Sequence, residues 1–233
     1  MFLALTLFMS SCFAPNENLP RESFVLIRVD LEETKCTDCY SENLALSSGF
    51  VIAESTQGGT YILTAGHVCD SSDITDLYGF IKNQNFEISF SAENKYYNSS
   101  AKVIDMDLID DLCLLKVETM FSKPVRISNH LPKKGERVYN LAAPLGIYNK
   151  NFMLEFEGFF AGEDGYGNSI YSIPAKPGSS GSPIFDKKGN LIGMIHSSAL
   201  KMENISISSE LGTIRNYLKE QAAINSDMKI YLR

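Results

Sequence analysis

The 233-residue sequence has no tryptophan, only three histidines and no run of basic residues. Its formal net charge is −7 and its sequence pI is about 5.1, which argues against a nucleic-acid-binding surface. No internal repeat or low-complexity tract is present. The 44% hydrophobic content instead suits one globular domain with a sizeable core, or two small barrels packed as one unit.

A long hydrophobic run is also missing from the start of the sequence. The apolar stretch Met1–Phe8 is too short to cross a bilayer as a helix, and it resembles a secretion signal that lacks its basic residues. The following Met9-Ser10-Ser11-Cys12 is similar to a bacterial lipobox, which implies cleavage before Cys12 and lipidation of its thiol. The alternative is a plain signal peptide cut nearby. We expect residues 1–21 to be a signal and tether, and the protein to be exported as a periplasmic, lipid-anchored or secreted form.

Cysteines are few, and no zinc motif accompanies them. Besides Cys12 there are Cys36, Cys39, Cys69 and Cys113. An even number of cysteines in an exported protein favours disulfides, and four cysteines allow three pairings. No second CxxC and no HxxxH follow Cys36 and Cys39, so a zinc site is disfavoured.

Short apolar segments separated by turn residues run through most of the chain, a pattern typical of an all-β sandwich or barrel. The first set of candidate strands is Phe24–Asp30, Ala45–Ala53, Thr60–Thr64, Phe86–Ser91, Ala101–Asp107 and Leu112–Val117. The second set is Arg137–Leu141, Phe152–Phe160, Ser169–Pro174, Pro183–Phe185, Leu191–Ser197 and Asn204–Ser208. Within a domain at 22–233, we therefore predict one barrel at about residues 22–119, a proline-containing linker at about 120–134 and a second barrel at about 135–208.

One helix is predicted at Glu210–Gln221, or about residues 209–221 with its cap. Ser208 or Ser209 could cap it. Apolar residues recur at helical spacing: Leu211, Ile214, Tyr217 and Leu218. We expect this helix to pack on the second barrel; a partner-binding helix is the alternative.

Three short sequence motifs, in the order His, Asp, Ser, contain residues suited to catalysis. Thr64-Ala65-Gly66-His67 ends an apolar segment, Asp111 precedes the apolar run Leu112–Leu115, and Ser180 lies between two glycines in Pro-Gly-Ser-Ser-Gly-Ser-Pro. A serine hydroxyl becomes an effective nucleophile when an imidazole takes its proton and a carboxylate orients that imidazole. The order His, Asp, Ser is that of chymotrypsin-type enzymes and differs from those of subtilisins and α/β-hydrolases.

In these motifs the sequence resembles the trypsin-like serine proteases, and among them the bacterial HtrA-type and glutamyl-endopeptidase-type proteins. Ser48–Ile52 is similar to the strand that opens such domains, and Gly189–Gly193 to the hairpin after the nucleophile. The resemblance covers roughly Phe24–Leu218. It implies an all-β fold of two packed six-stranded antiparallel β-barrels with a C-terminal α-helix, without the PDZ domain that HtrA proteins carry.

The resemblance also implies a role for each site residue. His67 would be the general base, Asp111 the acid that orients it, and Ser180 the nucleophile. The backbone N–H groups of Gly178 and Ser180 would form the oxyanion hole. Asp110 is the rival of Asp111, but the family's spacing before the apolar run fits Asp111.

Trypsin relatives often carry a disulfide beside the base, to a cysteine on the preceding strand. On that resemblance we expect Cys69 to pair with Cys39 or Cys36. Cys113, in an apolar strand, is then expected to be a buried free thiol.

Four candidate substrate-binding residues follow: Pro174, His196, Ser197 and Ser198. Pro174 occupies the position from which an aspartate recognises basic side chains in trypsin, so specificity for Arg or Lys is disfavoured. Glutamyl endopeptidases have a histidine two residues after the hairpin glycine, whereas His196 comes three after Gly193. Because a shift of one residue turns a strand side chain to the other face, we expect His196 to face Asp111. The two serines are expected to line an edge strand that an extended substrate joins, with a small or apolar P1 residue.

The function that these features predict is a serine endopeptidase acting on protein or peptide substrates through an acyl-enzyme intermediate. No metal, organic cofactor or nucleic-acid partner is implied. A weak or inactive binding module on the same fold is one alternative, disfavoured because all three triad positions are filled. An esterase is the other, since the same acyl transfer to Ser180 would serve it.

Overall fold

The computed structural model describes residues 16–33, 41–70, 72, 86–199 and 202–233. Six strands form a first barrel: β1 (Phe24–Glu33), β2 (Ser41–Ser55), β3 (Thr60–Ala65), β4 (Phe86–Glu93), β5 (Asn98–Asp107) and β6 (Leu112–Val117). They are hydrogen-bonded in the order β1-β4-β5-β6-β3-β2, and antiparallel pairing of β1 with β2 closes the ring. A four-residue helix, α1 (Gly66–Cys69), follows β3.

Six further strands close into a second barrel in the order β11-β14-β13-β12-β8-β10, sealed by the pairing of β10 with β11. Its elements, with two short additional strands, are β7 (Arg126–Ile127), β8 (Arg137–Ala142), β9 (Tyr148–Asn149), β10 (Phe152–Glu163), β11 (Asn168–Tyr171), β12 (Pro183–Phe185), β13 (Asn190–Ala199) and β14 (Met202–Ser209). The short β7 runs parallel to β13, and β9 pairs with β10.

The C-terminal segment returns to the first barrel. Helix α2 (Leu211–Ile224) buries the four apolar residues that the sequence pattern predicts, and β15 (Met228–Ile230) adds antiparallel to β2. The predicted cap is wrong: Glu210 is the N-cap residue, without a side-chain capping hydrogen bond, while Ser208 and Ser209 lie in β14. No helix among the described residues is long and apolar enough to cross a membrane.

Strands β3 and β6 and the first half of β1 are buried on both faces, and this locates the interface between the barrels. Along β1, Val25 and Ile27 belong to the cluster inside the barrel, while Phe24 and Leu26 belong to a second cluster. That second cluster also contains Phe185 of the second barrel and several residues of α2. Alternate side chains of a strand point to opposite faces, so one strand can serve both clusters. The barrels are therefore joined by a shared apolar core.

The predicted fold is confirmed: two closed six-stranded antiparallel barrels and one C-terminal helix, a chymotrypsin-like arrangement. All twelve predicted strands are present. Three short strands were not predicted, namely β7, β9 and β15, and β7 lies inside the segment predicted as a linker. Strand β11 ends at Tyr171, three residues before its predicted end.

Candidate active site

His67 lies in α1, directly after the buried strand β3. Gly66 makes this position possible, because a Cβ there would lie 2.7 Å from the carbonyl oxygen of Asp107. The missing side chain lets α1 approach the turn between β5 and β6 closely. The imidazole is 50% exposed and stands at the edge of a cleft.

The turn between β5 and β6 presents Asp111. Asp107 Oδ1 accepts hydrogen bonds from the N–H groups of Ile109 and Asp110, at 2.8 and 3.0 Å. Ser209 Oγ donates to the carbonyl oxygen of Asp110 at 2.6 Å. Asp111 itself has a φ of +53°, in the left-handed region that Asp adopts more readily than most residues. This local strain directs its carboxylate back toward α1.

The Asp111 carboxylate holds both the ring and the backbone of His67. His67 Nδ1 lies 2.8 Å from Oδ2 and 3.0 Å from Oδ1, and the His67 N–H donates to Oδ1 at 2.7 Å. Burial raises the pKa of Asp111, but the hydrogen bonds from His67 and the charges of His67 and His196 outweigh it and lower that pKa below its ordinary value. The carboxylate is therefore held as an anion that fixes the ring orientation.

Ser180 completes a line of three groups. Its Oγ lies 3.0 Å from His67 Nε2, on the side of the ring opposite Asp111. Asp110, the rival acid, instead has a pKa raised by burial and by Asp107, and its carboxylate makes no hydrogen bond to His67. Of the two adjacent aspartates, the structure brings Asp111 to the imidazole.

The turn around Ser180 depends on two glycines with positive φ, +94° at Gly178 and +80° at Gly181. A Cβ on Gly178 would lie 2.5 Å from the Ala143 carbonyl oxygen. Within the described residues, the N–H groups of Gly178 and Ser180 donate to no protein atom. Two unpaired amides in one tight turn, one of them that of Ser180 itself, are the kind of donors that an oxyanion hole requires.

A backbone hydrogen bond fixes the direction of one of these amides. The N–H of Leu145 donates to the carbonyl oxygen of Pro177 at 2.6 Å. In a trans peptide the C=O and the N–H point in opposite directions, so the Gly178 N–H points away from Leu145.

Two serines of the first barrel hold the turn that carries Ser180 in the second, and sequence reasoning did not find them. Ser48 N–H and Ser47 Oγ both donate to the carbonyl oxygen of Ser180, at 2.9 and 2.6 Å. Ser48 Oγ donates to the Gly178 carbonyl at 2.7 Å and accepts from the Ala143 N–H at 3.0 Å. Both serines are buried. The sequence feature that could have identified them is the pair of hydroxyl side chains at the start of an otherwise apolar stretch of β2.

The predicted disulfide is wrong. Cys69 pairs with Cys113, so Cys113 is not a free thiol, and Cys36 and Cys39 lie outside the described residues. The physical reason is the register of neighbouring strands. Cys113 in β6 pairs with Thr64, next to the end of β3. Because α1 follows β3 directly, Cys69 at the end of α1 lies close to Cys113.

This disulfide runs beside the acid–base pair. Cys69 comes two residues after His67, and Cys113 two residues after Asp111. The covalent bond thus links α1 to β6, the two elements whose relative position sets the hydrogen bond between His67 and Asp111.

A small cleft of about 240 Å³ opens next to Ser180. It is lined by Ala175, Lys176, Pro177, Ser179, Ser180, Ile195, Ser197 and Ser198. Of the four candidate substrate-binding residues, Ser197 and Ser198 line it, whereas Pro174 and His196 do not. Strand β12 pairs with β13 only up to Met194, so in the described part of the chain this side of β13 has no strand partner at Ser197 and Ser198.

His196 points away from that cleft and toward the acid. Its Nδ1 lies 3.8 Å from Asp111 Oδ2, and its side chain is 17% exposed. Burial lowers the pKa of His196; the Asp111 charge opposes this and the His67 charge reinforces it. The described residues contain no group of three or more His, Cys, Asp or Glu that could hold a metal ion.

Comparison with solved structures finds the same fold. The Ser343Ala mutant of Rv3671c from M. tuberculosis H37Rv, in its inactive form, matches with a TM-score of 0.62 at 18% identity, covering 87% of this chain and 88% of that one. The serine endoprotease from Yersinia pestis matches with a TM-score of 0.60 at 18% identity, covering 89% and 65%.

Comparison with curated proteins finds bacterial relatives. A probable periplasmic serine endoprotease, DegP-like, from Pseudomonas savastanoi pv. phaseolicola is 29% identical over 161 residues, 67% of this chain and 30% of the relative. A protein of the same description from Ectopseudomonas mendocina is 31% identical over 158 residues, 66% of this chain and 29% of the relative. The chain spans less than a third of the length of these two relatives. The family model for the trypsin-like peptidase domain matches residues 47–194, and the chain belongs to that family.

Proposed function

We propose that this protein is a serine endopeptidase that uses Ser180 as nucleophile, His67 as general base and Asp111 as the orienting acid. The observation that carries the proposal is the continuous line of contacts from Asp111 through His67 to Ser180, beside two unpaired amides. Membership of the trypsin-like peptidase domain family and the DegP-like relatives support it.

Each group has a step in the reaction. Ser180 Oγ attacks the carbonyl carbon of the substrate while His67 Nε2 takes its proton, and the Gly178 and Ser180 N–H groups stabilise the negative oxygen. His67 then gives the proton to the leaving amine, which departs and leaves an acyl ester on Ser180. Water attacks this ester, again losing a proton to His67, and the carboxylic acid product leaves as Ser180 regains its hydrogen. Asp111 stays ionised and stabilises the imidazolium in both stages.

The substrate we propose is an extended peptide with a small or apolar P1 residue. The exposed side of β13 at Ser197 and Ser198 offers backbone groups to a peptide that adds as a strand. The cleft of about 240 Å³ has Ala175, Pro177 and Ile195 among its lining residues, which suits a short aliphatic side chain. Pro174 is uncharged and does not line this cleft.

We further propose that residues 22–233 form the protease domain and residues 1–21 a signal and tether, with export of the protein and lipid attachment at Cys12. The description of the DegP-like relatives as periplasmic supports export. The first described residue, Asn16, donates to the Lys187 carbonyl oxygen, so the tether would join the second barrel beside that turn. Membrane and soluble fractions of cells producing the wild type and Cys12→Ser test this. Release of only the variant supports the anchor, and equal distribution contradicts it.

The decisive experiment for activity is labelling with a fluorophosphonate probe. Wild type should be labelled and should cleave a mixed peptide library, with cleavage sites identified by mass spectrometry. Ser180→Ala should lose both activities while its circular dichroism spectrum is unchanged, because it removes only the nucleophilic oxygen. Triad variants retain only about 10³–10⁴-fold catalysis over water. Ser122→Ala, a serine outside the site, is the matched control and should behave as wild type.

The same experiment separates the alternatives. A wild type that folds but is neither labelled nor active would be a binding module. A wild type that is labelled and hydrolyses small esters but no peptide would be an esterase. Near-native cleavage by Ser180→Ala would overturn the assignment of the nucleophile.

A further inference from the structure

We propose that His196 is a positioning residue of this site, a second imidazole on the Asp111 carboxylate that competes with His67 for a proton and so extends activity to lower pH. The inference rests on the proposed function, since it needs His67 to act as the general base. It concerns a residue that the acyl-transfer steps do not use.

The geometry places two imidazoles at one oxygen. Asp111 Oδ2 lies 2.8 Å from His67 Nδ1 and 3.8 Å from His196 Nδ1. The longer distance is beyond a hydrogen bond but within the range of a strong charge interaction. His196 is screened little by solvent because its side chain is 17% exposed, whereas His67 is 50% exposed.

The elements around His196 supply few other charges. Its strand β13 pairs with β14, and His196 lies at a register shift, paired with no residue of β14. The flanking pairs, Ile195–Ser208 and Ser197–Ile207, are uncharged. Asp111 comes from the turn before β6 and His67 from α1, and these are the two groups whose charges act on His196. Asp107 and Asp110 belong to the same turn as Asp111, with Asp110 held through its backbone by Ser209. His196 is also absent from the lining of the cleft, so a contact with the P1 side chain is not its role.

The direction of the effect follows from these charges. Burial lowers the pKa of His196, so the ring is neutral at neutral pH and leaves the His67–Asp111 pair unchanged there. As pH falls, the Asp111 anion can favour one imidazolium, but two imidazolium ions around it repel each other. A proton on His196 therefore opposes a proton on His67 and keeps the Nε2 lone pair of His67 available to Ser180. The same positive charge opposes imidazolium formation in the transition state, so this low-pH form turns over more slowly.

The first test needs no activity. The chain has only three histidines, so 15N-histidine NMR spectra can be assigned by single substitutions. The pH midpoint of the His196 signal should fall in Asp111→Asn, which removes the anion, and should rise in His67→Gln, which removes the competing cation. His130→Gln, at an exposed position, is the control and should change neither. Midpoints that are equal in all four proteins would overturn the proposal.

The second test measures kcat and KM from pH 5 to 8 for wild type and His196→Gln, whose side chain keeps a polar group but cannot carry a proton. We expect nearly equal values at pH 8, and an acid limb displaced to higher pH in the variant by about one unit, roughly a tenfold loss on that limb. KM and P1 preference should not change.

Superimposable pH profiles would contradict the inference. A wild-type preference for Glu at P1 that disappears in His196→Gln would also overturn it and place His196 in the pocket. If wild type is inactive at every pH, the proposed function fails, while the NMR titration still decides whether the two histidines are coupled.

Discussion

The two barrels fix their site residues by different means. In the first barrel, side chains and a covalent bond do it: His67 is bound to Asp111 through its ring and its backbone, and the Cys69–Cys113 disulfide runs alongside. In the second barrel, backbone geometry does it: Ser180 lies on a turn between two glycines of positive φ. Both members of the proposed acid–base pair thus belong to the first barrel, although Ser209 and His196 of the second barrel lie against the same turn.

The nucleophile turn, by contrast, depends on its neighbour. The carbonyl groups of Ser180 and Gly178 are held by Ser47 and Ser48, which belong to the first barrel. A change at the interface between the barrels should therefore disturb the nucleophile and the oxyanion hole while leaving the acid–base pair intact. Three substitution experiments test this difference, beginning with the pair itself.

Asp111→Asn should produce the largest loss, because an amide can favour the wrong tautomer of His67 and cannot stabilise its cation. In the chymotrypsin template this change lowers kcat by about 10⁴-fold. The measurement is kcat and KM on the best substrate from the peptide library. Asp110→Asn, one residue earlier, is the matched control and should do little. The opposite ranking of the two variants would move the role of the acid to Asp110.

Removing the disulfide should have the next largest effect, on the stability of the first barrel more than on the second. A crosslink between residues 44 positions apart contributes about 4 kcal/mol in the chain-entropy estimate. We expect a Cys69→Ala/Cys113→Ala double variant to lose an amount of this order in urea denaturation, and its kcat to fall with KM unchanged. Hydrogen exchange would show faster amide exchange in β3 and β6, with β8 and β13 protected as before. Uniform loss of protection in both barrels would remove the distinction drawn between them.

Features of the fold that depend on neighbouring residues could be predicted from the sequence, whereas features that depend on residues distant in sequence could not. Most of the predicted strands were recognisable because their hydrophobic pattern is local. The short strands β11 and β12 were also predicted, the latter directly after the Ser180 motif. Strands β7, β9 and β15 have two or three residues each, too few to show a pattern. Strands β7 and β15 form by pairing with the distant strands β13 and β2, while β9 forms a tight hairpin with β10. The three motifs that carry His67, Asp111 and Ser180 were visible because turn and strand residues flank each of them.

The remaining differences also concern distant partners. The disulfide of Cys69 could not be chosen among three pairings without the register of β3 and β6. Ser48 looks like an ordinary strand residue until the second barrel places Gly178 and Ala143 against its hydroxyl. Ser209, predicted as a helix cap, instead uses its hydroxyl on the Asp110 carbonyl across the fold. Cys69 and Ser209 were singled out from the sequence but their partners were not, whereas Ser48 was not singled out at all.

The smallest expected effect comes from the serines at the barrel interface, and it tests the comparison most directly. Ser48→Ala leaves the Gly178 carbonyl and the Ala143 N–H without their buried partner, which typically costs about 1–3 kcal/mol per unsatisfied group. Part of this cost should appear as a lower kcat, since Gly178 is the proposed oxyanion donor and its turn is free to shift. Ser47→Ala should cost less, because the Ser180 carbonyl keeps the N–H of Ser48 as a donor.

The measurement is the kinetics of both variants, with the NMR signal of the His67 ring as a monitor of the acid–base pair. We expect the ring signal to stay at its wild-type position in both, with kcat lower in Ser48→Ala. A displaced ring signal, or equal losses in the two variants, would mean that the first barrel does not hold its acid–base pair independently of the interface.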